Sequence, residues 1–416
     1  MRLDSQSAYA FNLHIPYLRS MNLKSLFLQH VGQTSMTPLM LEVAHAEGMY
    51  ITETSGKKYL DLISGFSVSS LGHRHPRVVE AIKTQADLYL HTTVYGEHVQ
   101  SPQVKYASKL AAILDNGLDA IYYVNSGAEA IEVAIKLGRK ATHRSEIISC
   151  ANAYHGSTTG AEALRSDYDF SRNFMPSLPG VRHIQFNSEA DLSKITNKTA
   201  CVILEPVQAE AGVISPQNNY LQKLRKRCDE TGTLLFLDEI QTGFGRTGHL
   251  FAHQKYNVLP DAIMIAKGMG GGMPVGAVVA SRHLLKVFAD NPMLGHINTF
   301  GGHPVCIAAA LANLEVLIEE KNIIGEVMHK SEYLTSRLKH DIISEVRADG
   351  LLMAVELTRP EYLMPVIKAA VQRGALIDFY LFNDRSFRLS PPLIISNYQM
   401  EEAVNILLDA CTDVHA

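Results

Sequence analysis

The sequence predicts an α/β fold, with a large domain built on a mostly parallel sheet covered by helices and a smaller α+β domain. Short apolar runs such as "ACVILEPV", "TLLFLDE" and "DAIMIA" recur through the middle of the chain and alternate with helical patterns. Continuous apolar strands between helices are typical of a buried parallel sheet. At 416 residues the chain is also long enough for two domains.

The order of the elements separates the predicted domains. After an N-terminal arm, residues 1–40, short strands joined at glycine turns predict a β-meander. The apolar strands of the parallel sheet fall within residues 71–310, which we expect to form the large domain. A long helix and a mixture of strands and helices follow. Residues 41–70 and 311–416 together form the predicted small domain.

Composition argues against several classes of protein. The formal net charge is −4, from 38 basic and 42 acidic residues, so no basic excess indicates nucleic-acid binding. The five cysteines are widely spaced without a C-x-x-C motif, which argues against a zinc module or a disulfide framework. No apolar run of roughly 18 residues predicts a membrane span, and the N-terminus has no convincing secretory signal. We therefore expect a cytoplasmic protein without a metal site.

A strand–helix junction, "YYVNSGAEAIEVAIKLGRK", is the first candidate site. Ser126 followed by Glu129 is typical of a helix capping box, which satisfies free backbone N–H groups. The same junction can bind an anion, because those N–H groups and the helix dipole converge there. Taken alone, the pattern favours the capping box.

A carboxylate stands at the end of a predicted strand in "TLLFLDEIQTGFGRTGHLF". Asp238 is placed where ligands bind in α/β sheets, although an N-cap or a structural ion pair is the plainer interpretation. The segment 243–248 also contains a literal G-x-G-x-x-G motif, which a nicotinamide-dependent dehydrogenase would use. Polar residues separate the strand from the first glycine, and little room remains for a crossover helix. A dinucleotide site is therefore only a distant alternative.

A lysine follows the next strand and precedes several glycines in "PDAIMIAKGMGGGMPVGAVVAS". The Walker A pattern is absent, so Lys267 is not a P-loop lysine. An apolar strand end lowers the pKa of a lysine, and a Schiff-base lysine needs such a shift. Most lysines at strand ends are nevertheless simply solvated.

Two further residues stand beside constrained backbone. Thr299 in "NTFGGHPVC" can donate to a phosphate, and Arg388 in "SFRLSPPL" can bind a carboxylate, although each is individually more often structural. With the helix junction, the strand-end acid and the lysine, they form a set that suits pyridoxal phosphate. That cofactor needs an amine for its aldehyde, an anion for its ring nitrogen and donors for its phosphate.

From about residue 41 to residue 408 the sequence resembles the class III (ω-type) aminotransferases, which are pyridoxal 5′-phosphate enzymes of fold type I. The most specific stretch runs from "LLFLDEIQTGFGRTG" to "AKGMGGGMPVGAVVAS", and "GHRHPRVVEAI", "NSGAEAIEVAIKLGR", "YHG", "LEPVQAEAGV", "NTFGGHP" and "RLSPPL" follow the family's order. The resemblance implies a homodimer that moves an amino group from an amino acid or ω-amine to a 2-oxo acid, 2-oxoglutarate or pyruvate, by a ping-pong mechanism.

The resemblance also implies a role for each matched residue. Lys267 would bind the cofactor aldehyde and then move the substrate proton, and Asp238 would keep the pyridine nitrogen protonated. The phosphate would be contacted by Ser126, Gly127 and Ala128, and the ring face by Tyr154. The phenolic oxygen would be contacted by Gln241, and the phosphate of the partner subunit by Thr299. Arg388 would bind a substrate α-carboxylate, and Glu210 would pair with Arg388 when that carboxylate is absent.

Two departures from the family pattern bear on the substrate. Ornithine, acetylornithine and many 4-aminobutyrate members carry an arginine where this chain has Ser157, and the ornithine-type tyrosine is replaced by Phe66, which has no hydroxyl. These departures argue against a plain acetylornithine or ornithine specificity. An aminomutase or lyase of the same family would keep the same lysine and aspartate, and is the main alternative. A non-catalytic scaffold would not need Lys267, Asp238 and Arg388 together.

Overall fold

The computed structural model describes residues 22–415 of the chain. The strands of this part are β1 (Val43–Glu47), β2 (Tyr50–Glu53), β3 (Lys58–Asp61), β4 (Ala120–Val124), β5 (Glu146–Cys150), β6 (Val181–Ile184), β7 (Thr199–Leu204), β8 (Leu234–Asp238), β9 (Ala262–Ile265), β10 (Gly276–Ala280), β11 (Ile343–Asp349), β12 (Leu352–Leu357), β13 (Ala375–Leu376), β14 (Asp378–Tyr380) and β15 (Asn383–Leu389).

The α-helices of the same part vary from single turns to five turns. They are α1 (Leu23–His30), α2 (Ser64–Ser67), α3 (Pro76–Leu88), α4 (Ser101–Ala111), α5 (Gly127–Thr142), α6 (Thr159–Ala163), α7 (Tyr168–Ser171), α8 (Tyr220–Thr231), α9 (Ala252–Lys255), α10 (Arg282–Leu285), α11 (Pro304–Glu319), α12 (Asn322–Gly325), α13 (Val327–Arg337), α14 (Leu363–Arg373) and α15 (Asn397–His415). Between residues 22 and 415, none of the helices has the length and apolar character needed to span a bilayer.

A seven-stranded sheet forms the centre of the molecule. Its strand order is β4-β10-β9-β8-β7-β5-β6. The strands from β9 to β6 pair in parallel, whereas β10 runs antiparallel to both β4 and β9. Strands β7, β9 and β10 are buried along their whole length, which explains their continuous apolar sequences. The predicted α/β class with a mostly parallel sheet is confirmed.

Apolar clusters cover both faces of this sheet. Successive side chains of a strand point to opposite faces, so Phe236 of β8 packs in one cluster and its neighbours Leu235 and Leu237 pack in the other. On the first face, helix α5 buries Ile131 and other apolar side chains against the strands. On the second face, Leu224 of α8 packs in the larger cluster. The sheet is therefore shielded from water on both sides.

The parallel pairing brings three ionisable side chains to one edge of the sheet. Glu205 follows β7 directly, Asp238 is the last residue of β8, and Lys267 lies two residues beyond β9. These three strands are neighbours and point the same way. Ligands of open α/β sheets bind at the carboxyl ends of the strands, so this edge is the expected position of a site.

Two smaller sheets lie outside the central one. In the order β1-β2-β3-β13, strand β13 pairs in parallel with β3 and so connects the two ends of the chain. The other sheet, β11-β12-β15-β14, is antiparallel. The β3–β13 pairing supports a small domain built from both chain ends, but the domain bounds stay a prediction. The predicted bound at residue 311 falls inside α11, which packs on α3 and α4.

Several elements of the structure were not predicted from the sequence patterns. Strand β6, "VRHI", carries polar residues and lies at the edge of the central sheet, where one neighbour suffices. Helices α4 and α8 were not predicted either. Of the predicted arm, residues 1–21 lie outside the described residues, and the rest begins with α1.

Candidate active site

A cavity of about 470 Å³ opens at the carboxyl edge of the central sheet. Most of the predicted site residues line it, namely Lys267, Asp238, Gln241, Ser126, Gly127, Ala128, Tyr154 and Ser157. Its wall also contains His155 and Glu205, for which the sequence predicted no role. The structure therefore brings together predicted residues that are up to 141 positions apart in the chain, from Ser126 to Lys267 (267 − 126).

Lys267 begins a short 3₁₀ turn immediately after β9, with a left-handed φ of 45°. Its Nζ donates a hydrogen bond to Oε1 of Gln241 at 2.8 Å. Burial of the ammonium group lowers the pKa of Lys267 below its ordinary value, against the opposing charge of Glu210. The lowered pKa increases the fraction of free amine, which is the nucleophilic form.

Asp238 is buried at the end of β8 and is held by two donors. Its Oδ1 accepts the backbone N–H of Ile240 at 3.0 Å, and its Oδ2 lies 2.6 Å from Nδ1 of His155. Burial alone would lower the pKa of His155, but the hydrogen bond and charge of Asp238 raise it above the ordinary value. His155 also contacts the hydroxyl of Ser149 at 3.3 Å through Nε2. The carboxylate is thus fixed in orientation at the cavity wall.

A second buried carboxyl group, that of Glu205, lies beside this pair. Its oxygens accept the backbone N–H groups of Tyr154 at 3.3 Å and Ala209 at 3.1 Å. Burial, together with the nearby charge of Asp238, raises the pKa of Glu205 to about 7, while His155 acts in the opposite direction. Glu205 is therefore a carboxyl group of this cavity that titrates near neutral pH.

The N-terminus of α5 forms another part of the cavity wall. Ser126 is the N-cap and its Oγ accepts the backbone N–H of Glu129 at 3.2 Å, while Oε2 of Glu129 accepts the N–H of Asn125 at 2.6 Å. The predicted serine N-cap is present, whereas the glutamate binds the N–H of the residue before the N-cap, so the reciprocal half of the predicted capping box is not formed. Gly127 and Ala128, in the first turn, still direct N–H groups without helical partners to this end of the helix. Capping and anion binding are therefore compatible here.

Arg388 and Glu210 form a buried ion pair near the lysine. Nη2 of Arg388, on β15, donates to Oε1 of Glu210, and both charges act on the pKa of Lys267. Arg388 is 1% exposed, and its Nε and Nη1 have no partner among residues 22–415. The guanidinium lies over the rings of Tyr380 at 4.4 Å and Phe66 at 5.2 Å. Two buried donors are thus available for a further anion.

Thr299 and Phe66, like Arg388 and Glu210, do not line the cavity. Thr299 is exposed in the loop before α11 and does not contribute to the cavity wall. Phe66 is 42% exposed with a left-handed φ of 63°, and its ring contacts Arg388 instead of lining the cavity. Within this subunit, the structure does not bring Thr299 to the lysine.

The G-x-G-x-x-G segment forms a structural turn rather than a nucleotide-binding loop. Arg246, within the motif, is fully buried and donates to the backbone oxygens of Leu351 and Pro391. Of the glycines, Gly245 and Gly248 have φ values of 92° and 85° that glycine adopts readily. The helix that follows, α9, has four residues, which is too short for the crossover of a dinucleotide-binding unit.

Sequence reasoning did not assign functions to His155 and Glu205. Glu205 follows an apolar strand as Asp238 ends one, so the strand-end argument applied to Asp238 could have found it. His155 had no comparable signal, because its partner Asp238 is 83 positions away in the chain. Only the tertiary structure places the two side chains in contact.

The sequence of this chain is similar to those of known aminotransferases. The family model described as aminotransferase class-III matches residues 31–411. An acetylornithine aminotransferase from Methanocaldococcus jannaschii is 38% identical over 388 residues, 90% of this chain and 94% of the relative. An ornithine aminotransferase from Oceanobacillus iheyensis is 33% identical over 398 residues, 92% of this chain and 97% of the relative.

Solved structures give the same result for the fold. The ornithine aminotransferase from Toxoplasma gondii superposes with a TM-score of 0.88 at 28% identity, covering 96% of this chain and 97% of that one. That crystal structure is described as having partial occupancy of PLP at the active site.

The raised pKa of Glu205 predicts how stability depends on pH. A carboxyl group that holds its proton more tightly when folded stabilises the protein below its unfolded pKa, and this contribution is lost as the pH rises through about 7. Glu205→Gln removes the titration. We therefore expect the difference in denaturant midpoint between Glu205→Gln and wild type, both free of cofactor, to shift in favour of the variant from about pH 5 to about pH 8.

The control for this prediction is Glu189→Gln, because the Glu189 side chain is 69% exposed. Denaturant titrations of both variants and of the wild type at the two pH values provide the measurement. A difference between Glu205→Gln and wild type that does not change with pH would contradict the assigned titration.

Proposed function

The chain belongs to the class III aminotransferases, which use pyridoxal 5′-phosphate, and we propose that Lys267 is the residue that binds this cofactor covalently. The enzyme transfers an amino group from an amine donor to a 2-oxo acid. The observation that carries the assignment is the cavity in which Lys267, with its lowered pKa, lies with Asp238 and the N-terminus of α5.

The residues of this cavity fit the cofactor. Gln241 is buried and its Nε2 has no partner among residues 22–415, so a donor is available for the phenolic oxygen. The N–H groups of Gly127 and Ala128 provide the donors that a phosphate requires at a helix N-terminus. Asp238 supplies a fixed negative charge for a protonated ring nitrogen. Each polar part of the cofactor has a matching protein group.

The roles of the protein groups follow from this arrangement. When bound, pyridoxal 5′-phosphate supplies an aldehyde that reacts with amines and a ring that withdraws electrons from the substrate. Because its pKa is lowered, Lys267 has more of the free amine that can accept the proton from the substrate Cα and then release it again. Asp238, oriented by His155, holds the proton on the ring nitrogen. Tyr154 covers the ring face, and Ser126 orders the phosphate-binding turn by capping α5.

Arg388 and Glu210 are proposed to select the substrate carboxylate. The two unpartnered nitrogens of Arg388 favour binding of an α-carboxylate, on either the amino acid or the 2-oxo acid. Glu210 neutralises the arginine when the bound amine has no carboxylate at that position. A single site can in this way accept both half-reaction partners, with 2-oxoglutarate or pyruvate as the acceptor.

The amino donor differs, in our proposal, from plain ornithine or acetylornithine. The named relatives point to those donors, but Ser157 lines the cavity as a neutral side chain, hydrogen bonded to the hydroxyl of Tyr154 at 3.2 Å. Phe66 presents a ring and no hydroxyl beside Arg388. Neither residue supplies a cation for a second substrate carboxylate, and a half-reaction screen of amino acids and ω-amines identifies the donor.

A homodimer completes the proposed site. The loop around Thr299 exposes large apolar side chains, of which Met293 is 76% exposed and Phe300 is 54% exposed. Exposed apolar patches of this kind mark protein–protein contacts, so we assign the loop to the subunit interface, where Thr299 would donate to the partner's phosphate.

The five cysteines are unpaired and buried, which supports the predicted reducing cytoplasmic compartment.

Lys267→Ala tests the covalent attachment. Borohydride reduction of the wild type with pyridoxal 5′-phosphate should add the cofactor mass to the peptide that contains residue 267, whereas the variant should lack the label, the visible absorption and the turnover. Lys286→Ala, at an exposed lysine, is the matched control and should behave as wild type. A wild type that stays colourless and unlabelled with added cofactor would refute the proposed function.

Arg388→Met tests the carboxylate site. We expect KM for the 2-oxo acid to rise at least about tenfold, because a buried charge-assisted contact is lost, with a smaller effect on amines that have no carboxylate. Arg385→Met, on the same strand but 48% exposed, is the control. Steady-state kinetics with both substrate types provide the measurement, and equal losses for both types would contradict the assignment.

Mixing two inactive variants tests the shared site. Lys267→Ala lacks the amine, and Thr299→Asp places a negative charge beside the proposed phosphate position. If Thr299 acts on the partner's cofactor, random reassortment of the two variants restores about a quarter of wild-type activity, since half of the dimers are mixed and each has one intact site. Mixed dimers that are detected by mass spectrometry but remain inactive would contradict the interface role.

A further inference from the structure

A buried arginine stands outside the cavity and has no role in the chemistry described above. Arg165 follows α6 and is 8% exposed. Its Nε and Nη2 donate to the two carboxylate oxygens of Asp167 at 3.0 and 3.1 Å. Nη1 is 4.0 Å from Oε1 of Glu162. This bidentate pairing fixes the plane of the guanidinium and neutralises its charge.

Three aromatic rings surround the Arg165 guanidinium. The guanidinium carbon is 4.9 Å from the ring centre of Phe170, 5.4 Å from that of Phe382 and 5.7 Å from that of Tyr154. Phe170 and Phe382 also meet edge to face at 6.2 Å. Planar guanidinium groups bind aromatic faces through their charge and by stacking, and the contact is stronger away from water.

Tyr154 connects Arg165 with the main cavity. Its ring lines that cavity and is contacted by the guanidinium, whereas Arg165 does not line it and instead lines a separate cavity of about 350 Å³. A tyrosine supported in this way has less freedom to rotate out of the cavity wall.

The same arginine contacts the segment that holds Glu210. The backbone N–H of Phe382 donates to the carbonyl oxygen of Glu210 at 3.0 Å, and the N–H of Leu381 donates to Glu210 Oε2 at 3.2 Å. Through the ring of Phe382, Arg165 therefore touches the backbone that orients Glu210 toward Arg388. Arg165 thus connects Tyr154, in the wall of the cofactor cavity, with the carboxylate-binding pair of Arg388 and Glu210.

We propose that Arg165, held by Asp167, is a positioning residue that fixes the ring of Tyr154 against the bound cofactor and joins it to the Glu210 segment. The inference rests on the proposed role of Tyr154 at the cofactor ring. Arg165 contributes through the tyrosine and does not bind the substrate, since Asp167 occupies two of its three nitrogens. Loss of the arginine leaves Lys267 and Asp238 in place but frees the ring that covers the cofactor.

Arg165→Met tests this positioning, because methionine keeps much of the stem without the charge. Cofactor-free protein is titrated with pyridoxal 5′-phosphate and binding is followed by absorbance. We expect the Kd of the variant to rise about tenfold. Arg172→Met, at a 54% exposed arginine of the same segment, should leave the Kd unchanged. A wild-type Kd in Arg165→Met would overturn the proposal.

A double-mutant cycle separates positioning from general stabilisation. In a Tyr154→Ala background, Arg165→Met should change the cofactor Kd by less than about twofold, because the ring that it supports is gone. If Arg165→Met weakens cofactor binding in the Tyr154→Ala background as much as it does in the wild type, the arginine does not act through Tyr154. If Arg165→Met does not fold, Arg165→Lys is used, which keeps the charge without the planar fork and should raise the Kd about threefold. An Arg165→Lys Kd equal to wild type would also refute the proposal.

Two further outcomes keep the inference distinct from the proposed function. A wild type that does not bind pyridoxal 5′-phosphate refutes the function itself, whereas a wild type that binds it normally while Arg165→Met is unaffected refutes only the positioning role. Asp167→Asn should weaken cofactor binding in the same direction. If Asp167→Asn instead raises the ratio of kcat/KM for 2-oxoglutarate to kcat/KM for pyruvate, Arg165 is a carboxylate-binding residue and the positioning proposal is wrong.

Discussion

The contact between Asp238 and His155 is the interaction on which the cavity depends. A carboxylate buried at a strand end is costly unless it is paired, and here a histidine and a backbone N–H supply the partners. Burial, together with the charge of Asp238, raises the pKa of Glu205, which is packed beside them. Burial also lowers the pKa of Lys267 in the same space. The charge of Asp238 therefore acts on the protonation of both Glu205 and Lys267.

Buried arginines serve several different purposes in this molecule. Arg246 is satisfied mainly by backbone oxygens and joins distant segments, which makes it structural. Arg388 has two nitrogens without partners among residues 22–415 and is therefore available to a ligand. Arg165 is paired on one side and surrounded by rings on the others. Burial alone did not distinguish them, whereas the identity of the groups that contact their nitrogens did.

The sequence predicted the fold class and much of the cavity wall. Strands β7, β8 and β9 were recognisable because fully buried strands have continuous apolar sequences, and strand ends in such sheets lie near ligands. Strand β6 escaped because an edge strand tolerates polar residues. The role of Thr299 and the domain bounds remain predictions, because the proposed role of Thr299 requires a second subunit.

The sequence by itself determined the alternation of elements and the positions of Lys267 and Asp238 at strand ends, because backbone periodicity is a local property. Only the tertiary structure decided which charges face one another. The partner of Asp238 is 83 residues away and that of Arg388 is 178 residues away, and no local pattern encodes such pairs. Their pairing follows from the strand order of the sheet and from the packing of the C-terminal strands against it, because burial leaves each charge only the partners within reach.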